Sequence, residues 1–88
     1  MNRRLKLLEK ALNDPGSLRF QEARRLAENF GFELRRVRGS HHIFTRDGFD
    51  GVLNLQIDKG LAKDYQVRQL LAALRDLNLI QEEPDTNE

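Results

Sequence analysis

Leu5, Leu8 and Leu12 punctuate an otherwise charged opening stretch at i, i+3 and i+7, the spacing one face of an α-helix presents. Leu7 and Ala11 widen that stripe, so the pattern predicts an amphipathic helix over residues 2–13, stopped by Asp14-Pro15-Gly16-Ser17. Phe20, Ala23, Leu26, Ala27 and Phe30 form a second helical stripe and predict a helix over 20–30. Glu22, Arg24, Arg25 and Glu28 take its outer face, and Gly31 stands where a left-handed stop is wanted. The period then shortens to two. Residues 32–38, 41–46 and 52–57 read as three strands, with Leu53, Leu55 and Ile57 on one face of the last and Asn54 and Gln56 on the other. In the first strand Phe32 and Leu34 share a face and Val37 falls on the opposite one. Gly39-Ser40 makes a tight turn, while Phe49 between Asp47-Gly48 and Asp50-Gly51 lengthens the second loop. Asp58-Lys59-Gly60 closes the third strand. Val67, Leu70, Leu71, Leu74 and Leu77 predict a final helix over 64–78, with Asp64 as its N-cap, as the main core partner of the sheet.

The order helix, helix, three antiparallel strands, helix predicts an α+β fold in which helices cover one face of a three-stranded antiparallel sheet. From the second helix onward the order α-β-β-β-α matches a double-stranded-RNA-binding domain, to which the leucine helix is an addition. A helix of that length is marginal alone and must bury its stripe. Packing on its own domain is the favoured solution; a homodimer or partner interface is the alternative.

Eighty-eight residues allow one domain, here 1–80, and 39% hydrophobic with 33% charged residues suits a compact soluble one. Cysteine is absent, which removes disulfides and zinc-thiolate sites. No apolar run approaches the roughly 20 residues that cross a bilayer, and the start of the chain lacks a signal peptide's unbroken apolar core. A cytoplasmic location with no membrane partner is expected. The net charge of +1 comes from 15 basic and 14 acidic residues, four of the acids (Glu82, Glu83, Asp85 and Glu88) falling in 81–88. Setting those four aside leaves ten acids against fifteen cations, a net of +5 on the part expected to fold, and the tail itself is expected to be disordered. Such a balance is compatible with a nucleic-acid partner.

The chemistry concentrates in Gly39-Ser40-His41-His42-Ile43-Phe44, which holds both histidines, among Arg35, Arg36, Arg38 and Arg46. A neutral imidazole beside cations can move a proton on a polyanion such as RNA. Residue types alone favour the plainer alternative, a hairpin with two surface histidines and solvated arginines. Adjacent strand residues point to opposite faces, so the two rings should not converge on one phosphate. Two adjacent histidines with scattered carboxylates do not make a metal site.

Gly31-Phe32-Glu33-Leu34, Arg38-Gly39-Ser40-His41-His42-Ile43-Phe44 and Tyr65-Gln66-Val67-Arg68-Gln69 together resemble the HicA family of bacterial toxin–antitoxin toxins, also described as YcfA-like. The resemblance runs over residues 20–79. It implies a double-stranded-RNA-binding-like fold, cofactor- and metal-independent cleavage of messenger RNA, and a HicB-type antitoxin that blocks the active site. The family's functional histidine, in Gly-Ser-x-His, falls on His42, which would act as general base on the RNA 2′-hydroxyl. His41 is then structural or an edge contact, and Ser40 caps the turn or meets a phosphate. Arg36, Arg38, Arg46, Lys59, Lys63 and Arg68 are the cations expected to contact RNA, with Lys63 and Arg68 bracketing the start of the last helix. Two motifs depart from the family pattern. Tyr65-Gln66-Val67-Arg68 stands where many members have Gly-Thr-Leu-Arg, and Ile57-Asp58 where many carry a proline and a second histidine. The competing reading is a non-catalytic module of the same fold that binds RNA or a protein.

Overall fold

The computed structural model describes residues 2–81. Helices α1 (Arg3–Asn13) and α2 (Phe20–Asn29) pack against one another across a 3-10 turn at Pro15–Ser17. Asn2 caps α1, its Oδ1 accepting from the Arg4 N–H at 2.8 Å. α2 ends as its glycine predicts: Gly31 takes φ +94, and the Phe32 N–H donates to the Ala27 carbonyl at 3.1 Å. Strands β1 (Glu33–Arg38), β2 (His41–Thr45), β3 (Leu53–Asp58) and β4 (Leu61–Ala62) follow, and α3 (Asp64–Asp76) closes the fold.

The sheet has the antiparallel order β1-β2-β3-β4, so the expected three strands are corrected to four. Lys59 at φ 53 and Gly60 at φ 84 form a two-residue turn of left-handed conformers. That turn folds the chain back at once, pairing Asp58 with Leu61 and Ile57 with Ala62. A two-residue strand is too short to show alternation, which is why the pattern hides it. Its far edge is covered by the approach to α2: the Ala62 N–H donates to the Leu18 carbonyl and the Phe20 N–H to the Gly60 carbonyl, both at 3.0 Å.

A second correction concerns Val37. The register pairs Leu34 with Phe44 and then Arg36 with Ile43, leaving Arg35 as the extra residue of a bulge. One inserted residue reverses the alternation, so Val37 faces the same side as Leu34, directly across from His42. A third concerns Asp64. Lys63 occupies the N-cap of α3, and Asp64 is the first helical residue, ion-paired with Arg68 one turn on.

All three helices lie on one side of the sheet. Phe20, Leu26, Phe44, Leu55, Leu70 and Leu74 are at or near complete burial at its centre. Taking such side chains out of water stabilises the fold by about 1.5–3 kcal/mol each. α1 joins through buried Ala11 and half-buried Leu7 and Leu8. Leu5 and Leu12 remain 50% and 42% exposed, so own-domain packing takes only the inner part of the stripe. Among the described residues no helix is long and apolar enough to cross a membrane. The tail expected to be disordered lies, from residue 82, outside the described residues.

Candidate active site

Gly39 opens a two-residue turn between paired Arg38 and His41, and its φ of +60 is the one a first central glycine supplies freely. From that turn β2 sends His41, Ile43 and Thr45 to the outer face and His42 and Phe44 to the helix-covered face. The two imidazoles are therefore on opposite sides of the sheet.

His42 is half buried, so it is not the surface histidine of the plainer alternative. Its ring centroid lies 4.4 Å from that of buried Phe20, the first residue of α2, with the planes tilted by 54°. Nδ1 lies 3.2 Å from the Ser40 carbonyl oxygen, which also accepts from the Ile57 N–H at 3.2 Å. A carbonyl can only accept. The bond therefore requires the proton on Nδ1, and in the neutral ring this leaves the lone pair on Nε2. Around the ring the rim is apolar: Val37, its cross-strand neighbour, is 53% exposed, and Ile57, at the end of β3, is 41% exposed.

His41 is exposed and lies beside Asn54, whose Nδ2 is 3.0 Å and Oδ1 3.3 Å from its Nδ1. Arg36 and Arg38 pair across from Ile43 and His41 and so share this outer face. Arg35 joins it too, donating from Nε to the Thr45 hydroxyl at 2.8 Å while pairing with Glu33 at 3.3 Å.

The remaining expected contacts scatter. Arg46 is four residues from His42 along the chain, roughly 14 Å of extended strand. It is engaged structurally: Nε donates to the Phe30 carbonyl and Nη1 to its neighbour's, Asp47, both at 2.6 Å. A cation at the C-terminus of α2 also complements the negative end of that helix's dipole. Lys63 lies 4.0 Å from Asp58, and Arg68 pairs with Asp64. Lys59, Lys63 and Ser40 sit at the same end of the sheet as His42, since the Ser40 carbonyl binds Ile57 just before the Lys59-Gly60 turn and Lys63 reaches Asp58 beside it.

Two features escape sequence reading. Phe20 shows as a core position in its stripe, but nothing in the periodicity names His42 as its partner. Gln66 is a polar residue at 1% exposure; its Oε1 accepts from the Gln56 backbone N–H at 2.6 Å, and its Nε2 donates to Gln56 Oε1 at 2.8 Å. It thereby satisfies a β3 amide that β4 is too short to reach, with the Tyr65 hydroxyl joining at 3.3 Å. This cluster occupies the stretch that departs from the usual Gly-Thr-Leu-Arg. Among the described residues no three His, Cys, Asp or Glu side chains gather closely enough to hold a metal ion.

Neither a curated protein nor a solved structure matches the chain. A family model described as the HicA toxin of bacterial toxin–antitoxin systems matches residues 20–79, from the first residue of α2 to beyond the end of α3. That match takes in the Gly-Ser-His-His turn, the whole sheet and both helices that pack on its centre, and it covers well over half of the sequence: the chain belongs to the HicA toxin family, the toxin partner in bacterial toxin–antitoxin pairs.

Proposed function

We propose that the chain is a metal-independent endoribonuclease that cleaves messenger RNA, with His42 as general base, and that a HicB-type antitoxin silences it in the cytoplasm. The observation that carries this reading is the Nδ1 contact with the Ser40 carbonyl, because in the neutral imidazole it makes Nε2 the proton-accepting nitrogen. Nε2 takes the proton of an RNA 2′-hydroxyl, whose oxygen attacks the adjacent phosphorus. The bond from phosphorus to the leaving 5′-oxygen then breaks, and that oxygen collects a proton from solvent or a nearby acid. The products are a 2′,3′-cyclic phosphate and a free 5′-hydroxyl. Lys59, Lys63 and the Ser40 hydroxyl, at the same end of the sheet, are the groups proposed to meet the crowded phosphate. Arg36, Arg38 and His41 form a separate outer surface that holds other phosphates of the strand.

That separation also supports a second reading, a non-catalytic module that binds RNA or protein through the outer face while His42 serves packing. Cleavage assays with His42→Ala and His41→Ala protein decide between them. The enzyme reading expects loss of cyclic-phosphate product only in the first. Wild-type protein that never cleaves RNA, yet binds a partner by the outer face, establishes the module.

A further inference from the structure

Outside the site just described, α1 and α2 enclose a groove of about 630 Å³. Its α1 wall is the row Arg3, Lys6, Leu7 and Lys10, at i, i+3, i+4 and i+7, with Arg4 beside it. Its α2 wall is Glu22, Arg25 and Asn29, at i, i+3 and i+7. Five cations thus meet one acid, and that acid is already spent: Lys10 Nζ donates to both Glu22 oxygens, at 2.8 and 3.0 Å. Among the described residues no ion pair involves the side chains of Arg3, Arg4, Lys6 or Arg25.

Four like charges lining one concave surface repel each other, and a polyanion relieves that repulsion while releasing its own counterions. We infer that this groove is a second RNA-binding surface, which grips the phosphodiester backbone of the strand flanking the cleavage point. The inference rests on the ribonuclease reading above for its ligand but uses none of its catalytic residues. The placement fits. Most of the cations come from α1, which ends at Asn13, before the family match begins at residue 20. The groove begins at Lys10 and Glu22, less than a turn of α2 from the Phe20 ring on which His42 packs. From there it runs about 10 Å along α2 to Asn29. The groove lies on the side of α2 away from Phe20 and Ala23, so a strand bound at His42 reaches it by passing round the first turn of the helix. Among the described residues the groove has no aromatic ring on which a base could stack and its four unpaired cations suit phosphates, so binding there should depend little on sequence.

The test uses the full chain and a 2′-O-methyl oligoribonucleotide, which lacks the attacking hydroxyl and so reports binding without cleavage. Wild type is compared with the triple variant Arg3→Gln, Lys6→Gln, Arg25→Gln over a salt series, with circular dichroism as the folding control. Loss of three phosphate contacts should weaken binding at low salt by roughly ten-fold or more and make the log–log salt slope shallower by about two. Equal affinity and slope in a folded variant overturn the groove, while wild-type cleavage of ordinary RNA leaves the ribonuclease reading standing. If wild type cleaves nothing and binds no oligonucleotide, both readings fall. If only capture of a protein partner responds to the triple variant, the groove is a protein interface and the RNA assignment is wrong.

Discussion

The imidazole of His42 packs 4.4 Å, centroid to centroid, from the ring of Phe20, so the residue proposed to take the proton is also part of the contact between the sheet and the start of α2. His42→Ala should therefore do two separable things. Losing a half-buried ring contact costs about 1 kcal/mol, which in a domain of this size lowers the melting temperature by about 4–8 °C. Losing a general base costs about 10²–10⁴ in rate. Cleavage assayed well below the melting temperature should fall by the larger factor while the protein stays folded, and exposed His41→Ala should change neither quantity much. A reversal of the two phenotypes would move the catalytic role to the outer face.

Because the proposed chemistry needs only a base, cations and a leaving-group proton, cleavage should persist in excess EDTA. The measurement is the rate of cyclic-phosphate formation with and without chelator. An absolute requirement for added magnesium or manganese would sink the imidazole mechanism and turn attention to Asp47, Asp50 and Asp58 as ligands.

Gln66→Leu keeps most of the buried volume but removes the acceptor of the Gln56 N–H. A buried amide without a partner costs about 1–3 kcal/mol. Thermal melting should drop accordingly, and the Gln56 amide should exchange with solvent faster than in wild type. An unchanged melt would mean that water reaches this end of β3 and the cluster contributes no net stability.

Glu22 ties α1 to α2. Its hydrogen bonds from Lys10 hold the carboxyl below its ordinary 4.5, assisted by the Arg19 backbone N–H and opposed by partial burial. Because the folded-state value is depressed, the contribution is present in full above the unfolded value. It is lost as pH falls below about 4.5 and through the depressed value, since protonation then favours the unfolded chain. Melting curves of wild type and Glu22→Gln from neutral to acidic pH should differ most near neutrality and converge as the solution is acidified. A constant gap would show that the carboxylate's charge is irrelevant to the docking of α1.

Local pattern in the chain was enough to place three helices, the three longer strands, the Gly39-Ser40 turn and the glycine stop at Gly31, because each depends on residues within a turn or two of one another. The opposite facing of His41 and His42 was legible for the same reason, since alternation is a property of adjacent residues. The Gly-Ser-x-His spacing pointed to the family. The Arg35 bulge, however, exists only through the register of β1 on β2, and a single unpaired residue is enough to carry Val37 to the side of His42. Likewise β4 is defined by its pairing, having too few residues for a period of its own. The arginines that stand close together in sequence were dispersed by the pleat and by strand length, Arg36 and Arg38 to the outer face and Arg46 to the end of α2. Tertiary packing alone put Phe20 against His42, Gln66 against the Gln56 amide, and the cations of α1 opposite Arg25. Such partners are set by how separate elements dock, which depends on the shape and burial of side chains remote from one another in the chain. A periodicity read along one element does not contain that information.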